Sequence, residues 1–330
     1  MPTALSLLDL APIARGGTAR ESFDASIELA QAAERTGYRR VWYAEHHNMG
    51  SIASSATSVL IGHIAARTES IRLGAGGIML PNHAPLVIAE QFGTLETLFP
   101  GRIDLGLGRA PGSDQNTVLA LRRDPAQADA FPQDVLELQA YLGGKSVRGV
   151  RAVPHAETAP PLYILGSSLF GARLAAQLGL PYAFASHFAP DALHEAVSVY
   201  RAEFTPSEQL TEPYVVAGAN VFAAEDHDVA VEQKTTAYRA RARMMIKSGR
   251  PGVNLTDAEI DAFLASPSGR PLASMTKYTA AGTADEVREY LEGFAESSGA
   301  DELMLAHQAI GTAERVLSVE LTAGAMAGSR

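Results

Sequence analysis

Polar side chains follow several short apolar runs of this chain, at points where a buried strand would end. Glu45 and His46 follow one such run, and Arg109 follows another, directly after Gly108. Histidine is the side chain whose charge changes near neutral pH, so it suits general acid–base catalysis. An arginine between small residues suits binding of an anion or polarisation of a carbonyl. These residue types therefore predict acid–base chemistry on a polar or anionic molecule.

Glycines and serines after other apolar runs indicate room for a flat, phosphorylated ligand. Gly76 and Gly77 adjoin in one run, where missing side chains would let a ring lie against the main chain. Ser167 and Ser168 precede a predicted helix, and a helix start with hydroxyls nearby binds phosphate. Ser186 adds a hydroxyl beside a histidine after a further run. Together these features favour a phosphorylated aromatic cofactor, for which flavin mononucleotide (FMN) is the candidate.

Each of these features also has a purely structural interpretation, which the sequence leaves open. The histidines of segment 45–48 are compatible with a polar surface turn, and Arg109 with a surface salt bridge. Gly76 and Gly77 are compatible with close packing between a helix and a strand, and Ser168 with an ordinary helix cap. A divalent metal at segment 45–48 would need further ligands, and the later strands end without a His-x-His or carboxylate cluster. The sequence therefore predicts no metal.

Short apolar runs alternate with amphipathic helical segments along the whole chain, which predicts an α/β fold. Eight runs have the pattern of strands, at Ala4–Leu8, Arg40–Ala44, Ile71–Ile78, Ile103–Gly108, Leu162–Leu165, Tyr182–Ala185, Val215–Ala223 and Leu303–Ala306. Eight strands with helical partners fit a (β/α)8 TIM barrel, whose active sites lie at the carboxyl ends of the strands. The alternative, an open doubly wound sheet, usually carries a G-x-G-x-x-G loop after its first strand. The first strand here has no such loop.

The whole chain, 1–330, is expected to form a single barrel domain with long loops at its C-terminal face. Two stretches exceed a minimal barrel, at about 110–131 and about 248–275, and the second contains three prolines. Loops of this length usually cover a site or contact a partner. We expect residues 248–275 to act as a lid.

Composition and charge exclude several classes of function. The chain has 27 Lys and Arg against 37 Asp and Glu, a formal net charge of −10, which disfavours binding to nucleic acid or to an anionic membrane. It contains no cysteine, which excludes a cysteine nucleophile, a disulfide framework and thiolate metal centres. The first residues lack the pattern of a signal peptide, and no window approaches a membrane span. We therefore expect a cytoplasmic enzyme.

Four segments, taken in chain order, carry a specific family resemblance. They are Val-Trp-Tyr-Ala-Glu-His-His (41–47), Gly-Ala-Gly-Gly-Ile-Met-Leu-Pro (74–81), Pro-Gly-Arg-Ile-Asp-Leu-Gly-Leu-Gly-Arg (100–109) and Leu-Tyr-Ile-Leu-Gly-Ser-Ser (162–168). Together they resemble the bacterial luciferase-like monooxygenase family, and the match covers essentially the whole chain. Smaller details resemble a branch of mostly uncharacterised oxidoreductases in that superfamily.

The resemblance implies a barrel that binds reduced flavin at its carboxyl end and reacts it with O2. His46 matches the family's active-site histidine, Glu45 the neighbouring carboxylate and Arg109 an arginine at the rim, so these three are the predicted catalytic residues. Gly76-Gly77 matches a non-prolyl cis peptide that supports the flavin ring. The predicted cofactor-binding residues are Gly76, Gly77, Gly108, Gly166, Ser167, Ser168, Gly171 and Ser186.

One departure from the family limits what can be carried over. Luciferase itself has a glutamate where this chain has Ser167 and a cysteine where it has Gly108. Light emission from a long-chain aldehyde is therefore not implied, and neither is any particular substrate.

The resulting hypothesis is an FMN-dependent monooxygenase. It would take reduced FMN from a separate flavin reductase and use O2 to oxygenate a small organic substrate, with His46 handling protons. The resemblance also implies a homodimer. Three alternatives stay open: a deazaflavin (F420)-dependent hydride-transfer enzyme, a flavin-binding protein without turnover, and a barrel metallohydrolase.

Overall fold

The computed structural model describes residues 3–110, 115–155, 157–249 and 255–328 and contains a closed barrel of parallel strands. The strands are β1 (Ala4–Asp9), β2 (Arg40–Tyr43), β3 (Arg72–Met79), β4 (Ile103–Gly108), β5 (Leu162–Gly166), β6 (Tyr182–Phe184), β7 (Val215–Ala223), β8 (Thr279–Gly282) and β9 (Glu302–His307). Strands β1 to β7 pair in chain order, β7 pairs with β9, and β9 pairs with β1. The predicted eight-stranded (β/α)8 barrel is confirmed.

One strand was not predicted from the sequence. β8 pairs with Asn220–Ala223, the last part of β7, on the side that β6 occupies lower down. It therefore lengthens the wall at the carboxyl end of the barrel, but it is not one of the eight strands that close the barrel. Its sequence, Thr-Ala-Ala-Gly, is short and has few of the large or branched side chains that mark a strand.

Helices follow the strands and cover the outside of the barrel. They are α1 (Ala19–Arg35), α2 (Thr57–Ala65), α3 (Pro85–Leu98), α4 (Gln115–Ala120), α5 (Phe131–Leu142), α6 (Leu169–Leu178), α7 (Leu193–Glu203), α8 (His227–Gly249), α9 (Asp257–Ala265), α10 (Arg270–Ser274), α11 (Ala284–Ser298) and α12 (Thr312–Ala327). Local sequence sets their ends: Thr18 and Glu21 form a capping box on α1, and Gly179 ends α6 in the left-handed conformation, as such caps require. Among the described residues, no helix has the length and apolar character needed to span a bilayer.

The two predicted insertions contain helices of their own. The first holds α4 and a 3-10 helix at Pro125–Ala130, and the second holds the end of α8 together with α9 and α10. Ala242, Ile260 and Leu272 pack these three helices into a small apolar cluster apart from the main core. Parts of both insertions, 111–114 and 250–254, lie outside the described residues. The lid function stays a prediction.

The inside of the barrel has an apolar layer above an ionic one. Leu8, Trp42, Tyr163 and Met304 belong to the apolar cluster that fills the barrel. At the amino ends of the strands, the basal ion cluster consists of Arg40, Asp104 and Glu302, all at most 1% exposed. Arg40 lies 2.7 Å from Asp104 and 2.9 Å from Glu302. This end is closed by ion pairs, so a ligand would have to enter from the opposite end.

Candidate active site

The carboxyl end of the barrel, here called the mouth, holds a hydrogen-bonded cluster around Glu45. This residue lies two positions after the end of β2 and is 1% exposed. Nε2 of His47 and Nε2 of His83 each donate to its Oε1 over 2.8 Å, and the Met79 amide donates to its Oε2 over 3.2 Å. The cluster of Glu45, His47 and His83 therefore joins the turn after β2 to the end of β3 and the turn that follows it.

Opposing effects act on the ionisation of the Glu45 cluster. Burial alone would raise the pKa of Glu45, but the hydrogen bonds from His47 and His83 outweigh it and the net shift is downward. The hydrogen bond to Glu45 raises the pKa of His47 in return. Glu45 is therefore a carboxylate at neutral pH, and it favours the protonated form of its neighbour.

The Glu45 cluster also supplies what the sequence analysis found missing for a metal. The ligand atoms of Glu45, His47 and His83 all lie within 4.8 Å of one another, and two imidazoles with one carboxylate are ordinary transition-metal ligands. His83 lies in the loop after β3, where it follows a short 3-10 helix at Leu80–Asn82. The metal alternative therefore has a candidate site, although the carboxylate already has three hydrogen-bond donors.

His46 and His187 form a second, less satisfied part of the mouth. Nδ1 of each is buried and has no hydrogen-bond partner in the described parts of the chain. Burial is the main cause that lowers the pKa of His46. Burial, then the charges of Arg241 and His46, lower the pKa of His187 to about 4. Both imidazoles are therefore neutral at pH 7, and each offers a ring nitrogen for a ligand or a proton.

His187, the histidine that follows Ser186, was expected at the rim of the barrel but had no assigned role, and the fold explains its position. A Cβ built on Gly218 of β7 would lie 2.5 Å from Nδ1 of His187, so the imidazole rests directly on that glycine. The Asn220 side-chain amide donates to the His187 carbonyl over 2.8 Å, and Gln308 donates to Asn220 Oδ1 over 2.5 Å. The sequence feature that indicates this contact is Asn220, a polar residue inside the otherwise apolar strand β7.

Arg109 lies at the mouth but is not free. Its guanidinium pairs with Asp129 at 3.1 Å, and its Nε donates to the Ala128 carbonyl over 3.2 Å. It also lies 4.4 Å from the centre of the Phe170 ring. The structure thus contains the surface salt bridge that the sequence left open, and the same side chain lies beside the first turn of α6, to which Phe170 belongs.

The predicted phosphate-binding segment lies between β5 and α6. Ser168 is exposed at the start of α6, and its side chain makes no capping hydrogen bond, which leaves the helix start without a side-chain cap. The Tyr182 hydroxyl donates to the Ser168 carbonyl over 3.0 Å. A Cβ on Gly171 would lie 3.3 Å from the Tyr182 ring and 3.7 Å from Cα of Gly166. Both glycines therefore let this segment lie close to Tyr182.

The predicted glycines fall into two groups. The Gly76–Gly77 bond is cis; a Cβ on Gly76 would lie 2.8 Å from Trp42, and one on Gly77 would lie 2.8 Å from the Gly106 carbonyl. Close packing of neighbouring strands thus requires glycine at both positions. A Cβ on Gly108, in contrast, would meet nothing nearer than a main-chain oxygen at 3.8 Å. Gly108 therefore borders open space.

Ser186 is placed in the barrel wall. It is fully buried, and its hydroxyl donates to the Gly218 carbonyl over 2.6 Å. This hydrogen bond joins the turn after β6 to β7, so the Ser186 proton already has a protein acceptor. Ser167, the remaining predicted residue, is partly buried in the turn before α6.

Comparison with known proteins assigns the chain to a family. The family model described as luciferase-like monooxygenase matches residues 4–318, so the chain belongs to the luciferase-like monooxygenases. A protein named luciferase-like monooxygenase from Escherichia coli (strain K12) is 48% identical over 321 residues, covering 96% of this chain and 95% of the relative. The N-acetyl-S-alkylcysteine monooxygenase of Bacillus subtilis (strain 168) is 33% identical over 337 residues, covering 99% of both chains.

A solved structure agrees with this assignment. The crystal structure of apo-MsnO8 is 35% identical in sequence and superposes with a TM-score of 0.85, covering 98% of each chain. The predicted family resemblance and the predicted fold are thus both confirmed.

Proposed function

We propose that this protein is an FMN-dependent monooxygenase that takes reduced flavin from a separate reductase and uses O2 to oxygenate a small organic substrate. The observation that carries the proposal is the mouth of the barrel, where His46 and His187 are partly buried and neutral, and each has a buried Nδ1 with no partner among the described residues. Of the eight buried side-chain polar atoms without a partner in those residues, these two belong to imidazoles at the mouth, and a buried polar atom without a partner needs an explanation. Membership of a monooxygenase family gives these atoms a chemical context.

The residues at the mouth fit FMN. Gly108 borders open space, and the start of α6 has no side-chain cap, so a phosphate would meet free N–H groups there. Ser167 and Ser168 would hold the phosphate, and Gly76-Gly77 would lie against the ring. FMN, when bound in its reduced form, supplies the electrons that allow one atom of O2 to enter an organic substrate.

The chain's own residues have separable roles in this proposal. His46 is neutral at pH 7 because burial lowers its pKa, so its free Nδ1 accepts a proton during turnover. Glu45 is a positioning residue. Its hydrogen bonds from His47, the Met79 amide and His83 hold the turn that contains His46 against the end of β3 and the loop after it. Arg109, beside the first turn of α6, adds positive charge near the proposed phosphate. Helices α8 to α10 would exclude water from the mouth.

The name of a relative suggests which class of substrate to test first. The B. subtilis relative is named for action on N-acetyl-S-alkylcysteine, and we propose thioethers of this kind as the first compounds to screen. We also propose a homodimer in the cytoplasm; sedimentation of the purified protein tests the first and fractionation of cells tests the second.

The test of the proposed function follows the fate of reduced flavin. Purified protein is mixed anaerobically with photoreduced FMN and then with oxygenated buffer, and flavin oxidation is recorded by absorbance. We expect slower oxidation than for free flavin, because a water-excluding mouth protects the reacting ring, and faster oxidation once a substrate is added. Oxidation indistinguishable from that of free FMN contradicts the proposal.

The same preparation separates the alternatives. Reduced F420 replaces reduced FMN in a parallel titration, and tighter binding of F420 favours hydride transfer. Tight binding of FMN with an unaltered oxygen reaction favours a protein without turnover. A stoichiometric metal at the Glu45 cluster, lost together with activity on chelation, favours a metallohydrolase.

A further inference from the structure

Arg241 is a partly buried cation of the mouth that lacks an anionic partner. It lies on α8, and it makes no hydrogen bond or ion pair with any residue that the structure describes. Its neighbours on the same helix behave differently. Arg239 pairs with Asp261 at 2.5 Å, and Arg243 pairs with Asp257. Of the three arginines on α8, all within the described part of the chain, Arg241 is thus the one without a partner.

Contacts of α8 place Arg241 at the mouth. The helix packs against β7 and β8, and the Tyr238 hydroxyl shares a hydrogen bond of 2.7 Å with Thr279 of β8. Towards its end, the helix reaches the turn after β2, where the Ser51 hydroxyl donates to the Met244 sulfur over 3.0 Å. Arg241 lies between these two contacts, three residues from each, on the side of the helix that they define.

Electrostatic effects agree with this placement. Burial lowers the pKa of Arg241, and the Tyr238 hydroxyl is the single group that opposes it. After burial, the charge of Arg241 is the next cause that lowers the pKa of His187. The guanidinium therefore acts on the same histidine that rests on Gly218, and no carboxylate is among the groups that shift the pKa of either residue. A partly buried cation that lacks a counter-ion among the described residues is destabilising, in a chain whose net charge is −10.

An anion on the ligand would remove that cost. We propose that Arg241 binds an anionic group of the substrate, a carboxylate or a sulfonate, so that the protein acts on small organic acids. That the bound anion is a substrate rests on the proposed function, but binding of an anion at Arg241 can be tested by itself. The FMN phosphate is the other anion that could bind in the mouth. The start of α6 and Arg109 would bind that phosphate, whereas Arg241 is close enough to His187 to lower its pKa.

The test uses matched pairs of compounds that differ only in charge. Straight-chain carboxylic acids from butanoate to decanoate and their primary amides are titrated into the protein by calorimetry, with and without FMN. We expect at least one acid to bind about 10- to 100-fold more tightly than its amide, the value of a charge-assisted hydrogen bond. The preference disappears in Arg241→Met and is partly kept in Arg241→Lys.

A matched control removes the same charge from the same helix. Arg239→Gln is expected to keep the full preference for the acid, because its guanidinium pairs with Asp261 on α9. If Arg241→Met fails to fold, as judged by circular dichroism, Arg241→Lys and Arg241→Gln carry the test. Both keep a long side chain, and they differ in charge and in donor geometry.

Each outcome decides a separate question. Equal binding of acids and amides by the wild type overturns the inference, and so does a preference that survives Arg241→Met and Arg241→Gln. Loss of FMN affinity in these variants, with the preference for acids unchanged, assigns Arg241 to the flavin phosphate and also overturns the inference. A wild type that does not bind FMN contradicts the proposed function, whereas the titrations without FMN still decide the anion site.

Discussion

The two ends of the barrel differ in how far their buried polar groups are paired. At the amino end, Arg40 pairs with both Asp104 and Glu302, and the Ser6 hydroxyl donates to Glu302 as well. At the mouth, in contrast, His46 and His187 each have an Nδ1 without a partner among the described residues. The same barrel therefore pairs its buried charges at one end and leaves imidazole nitrogens without a partner at the other.

This difference separates groups that stabilise the fold from groups available to a ligand. A closed set of ion pairs has no remaining capacity to bind, and removing one member leaves the others buried without a partner. Unpaired imidazoles cost stability in the free protein, and a bound ligand can recover that cost. We therefore expect substitutions at the amino end to change stability, and substitutions at the mouth to change function.

The largest expected effect follows from breaking the basal ion cluster. Arg40→Met leaves Asp104 and Glu302 buried with fewer positive partners, and we expect the free energy of unfolding to fall by about 3–5 kcal/mol. Urea unfolding followed by circular dichroism measures this. The control is Arg20→Met, which removes an exposed ion pair with Asp24 on α1, and for which we expect no measurable change. Equal stabilities of the two variants would contradict the comparison.

At the mouth, His46→Asn is expected to reduce turnover by about 10²–10⁴-fold, the usual contribution of a general acid or base. Its Nδ1 has no partner in the part of the chain that the structure describes, so no hydrogen bond to those residues is lost at that atom on substitution. The free energy of unfolding therefore changes by at most about 1 kcal/mol. His63→Gln, on the exposed surface of α2, serves as the control. A large loss of stability with normal turnover would place His46 with the structural residues.

Glu45→Gln tests the Glu45 cluster, the part of the mouth in which the polar groups are hydrogen-bonded to one another. The amide has a single acceptor oxygen, so it cannot accept from the two histidines and from the Met79 amide at once, as the two carboxylate oxygens do. We therefore expect a loss of about 1–3 kcal/mol and, because the negative charge is removed, a fall in the pKa of His47. Unfolding in urea and histidine NMR titration measure the two effects. Glu286→Gln is the matched control, since Glu286 contacts His227 at 3.0 Å on the surface and glutamine keeps the helix cap. An unchanged His47 titration would contradict the assigned hydrogen bond.

The sequence predicted the barrel better than it predicted the site. The bounds of β4 and β7 agree with the prediction, because long apolar runs between turn residues are a strong local signal. β8 was missed because its four small residues have no such signal. Glu45 and His46 were found because they follow a strand, and barrel chemistry lies at strand ends.

Other site residues could not be found by that rule. His83 reaches Glu45 from a turn after a 3-10 helix, and Arg241 comes from the middle of a helix. Their positions depend on how distant segments pack, which the periodicity of a single chain does not encode. Arg109 was found as a residue, but its pairing with Asp129 depends on the conformation of an insertion.

The last expected effect concerns pH and again distinguishes the mouth. The pKa of His187 is lowered by burial, Arg241 and His46 to about 4, below the ordinary histidine value in the unfolded chain. Between about pH 6.5 and 4, the unfolded state therefore binds a proton that the folded state does not. Stability falls on acidification through this range by at most about 1.4 kcal/mol per pH unit for this histidine.

A second histidine gives the same sign away from the mouth. Burial and Arg315 lower the pKa of His307 to about 3; its ring nitrogens contact Tyr38 and Ser318. Urea unfolding from pH 7 to 4.5, compared between the wild type and His187→Gln, isolates the contribution of the mouth. We expect the variant to lose part of the histidine-dependent slope and to keep the rest, because His307 and His46, whose pKa values are also lowered, remain. An identical slope in both proteins would show that His187 takes up its proton as readily in the folded chain as in the unfolded one, which would contradict its burial beside Arg241.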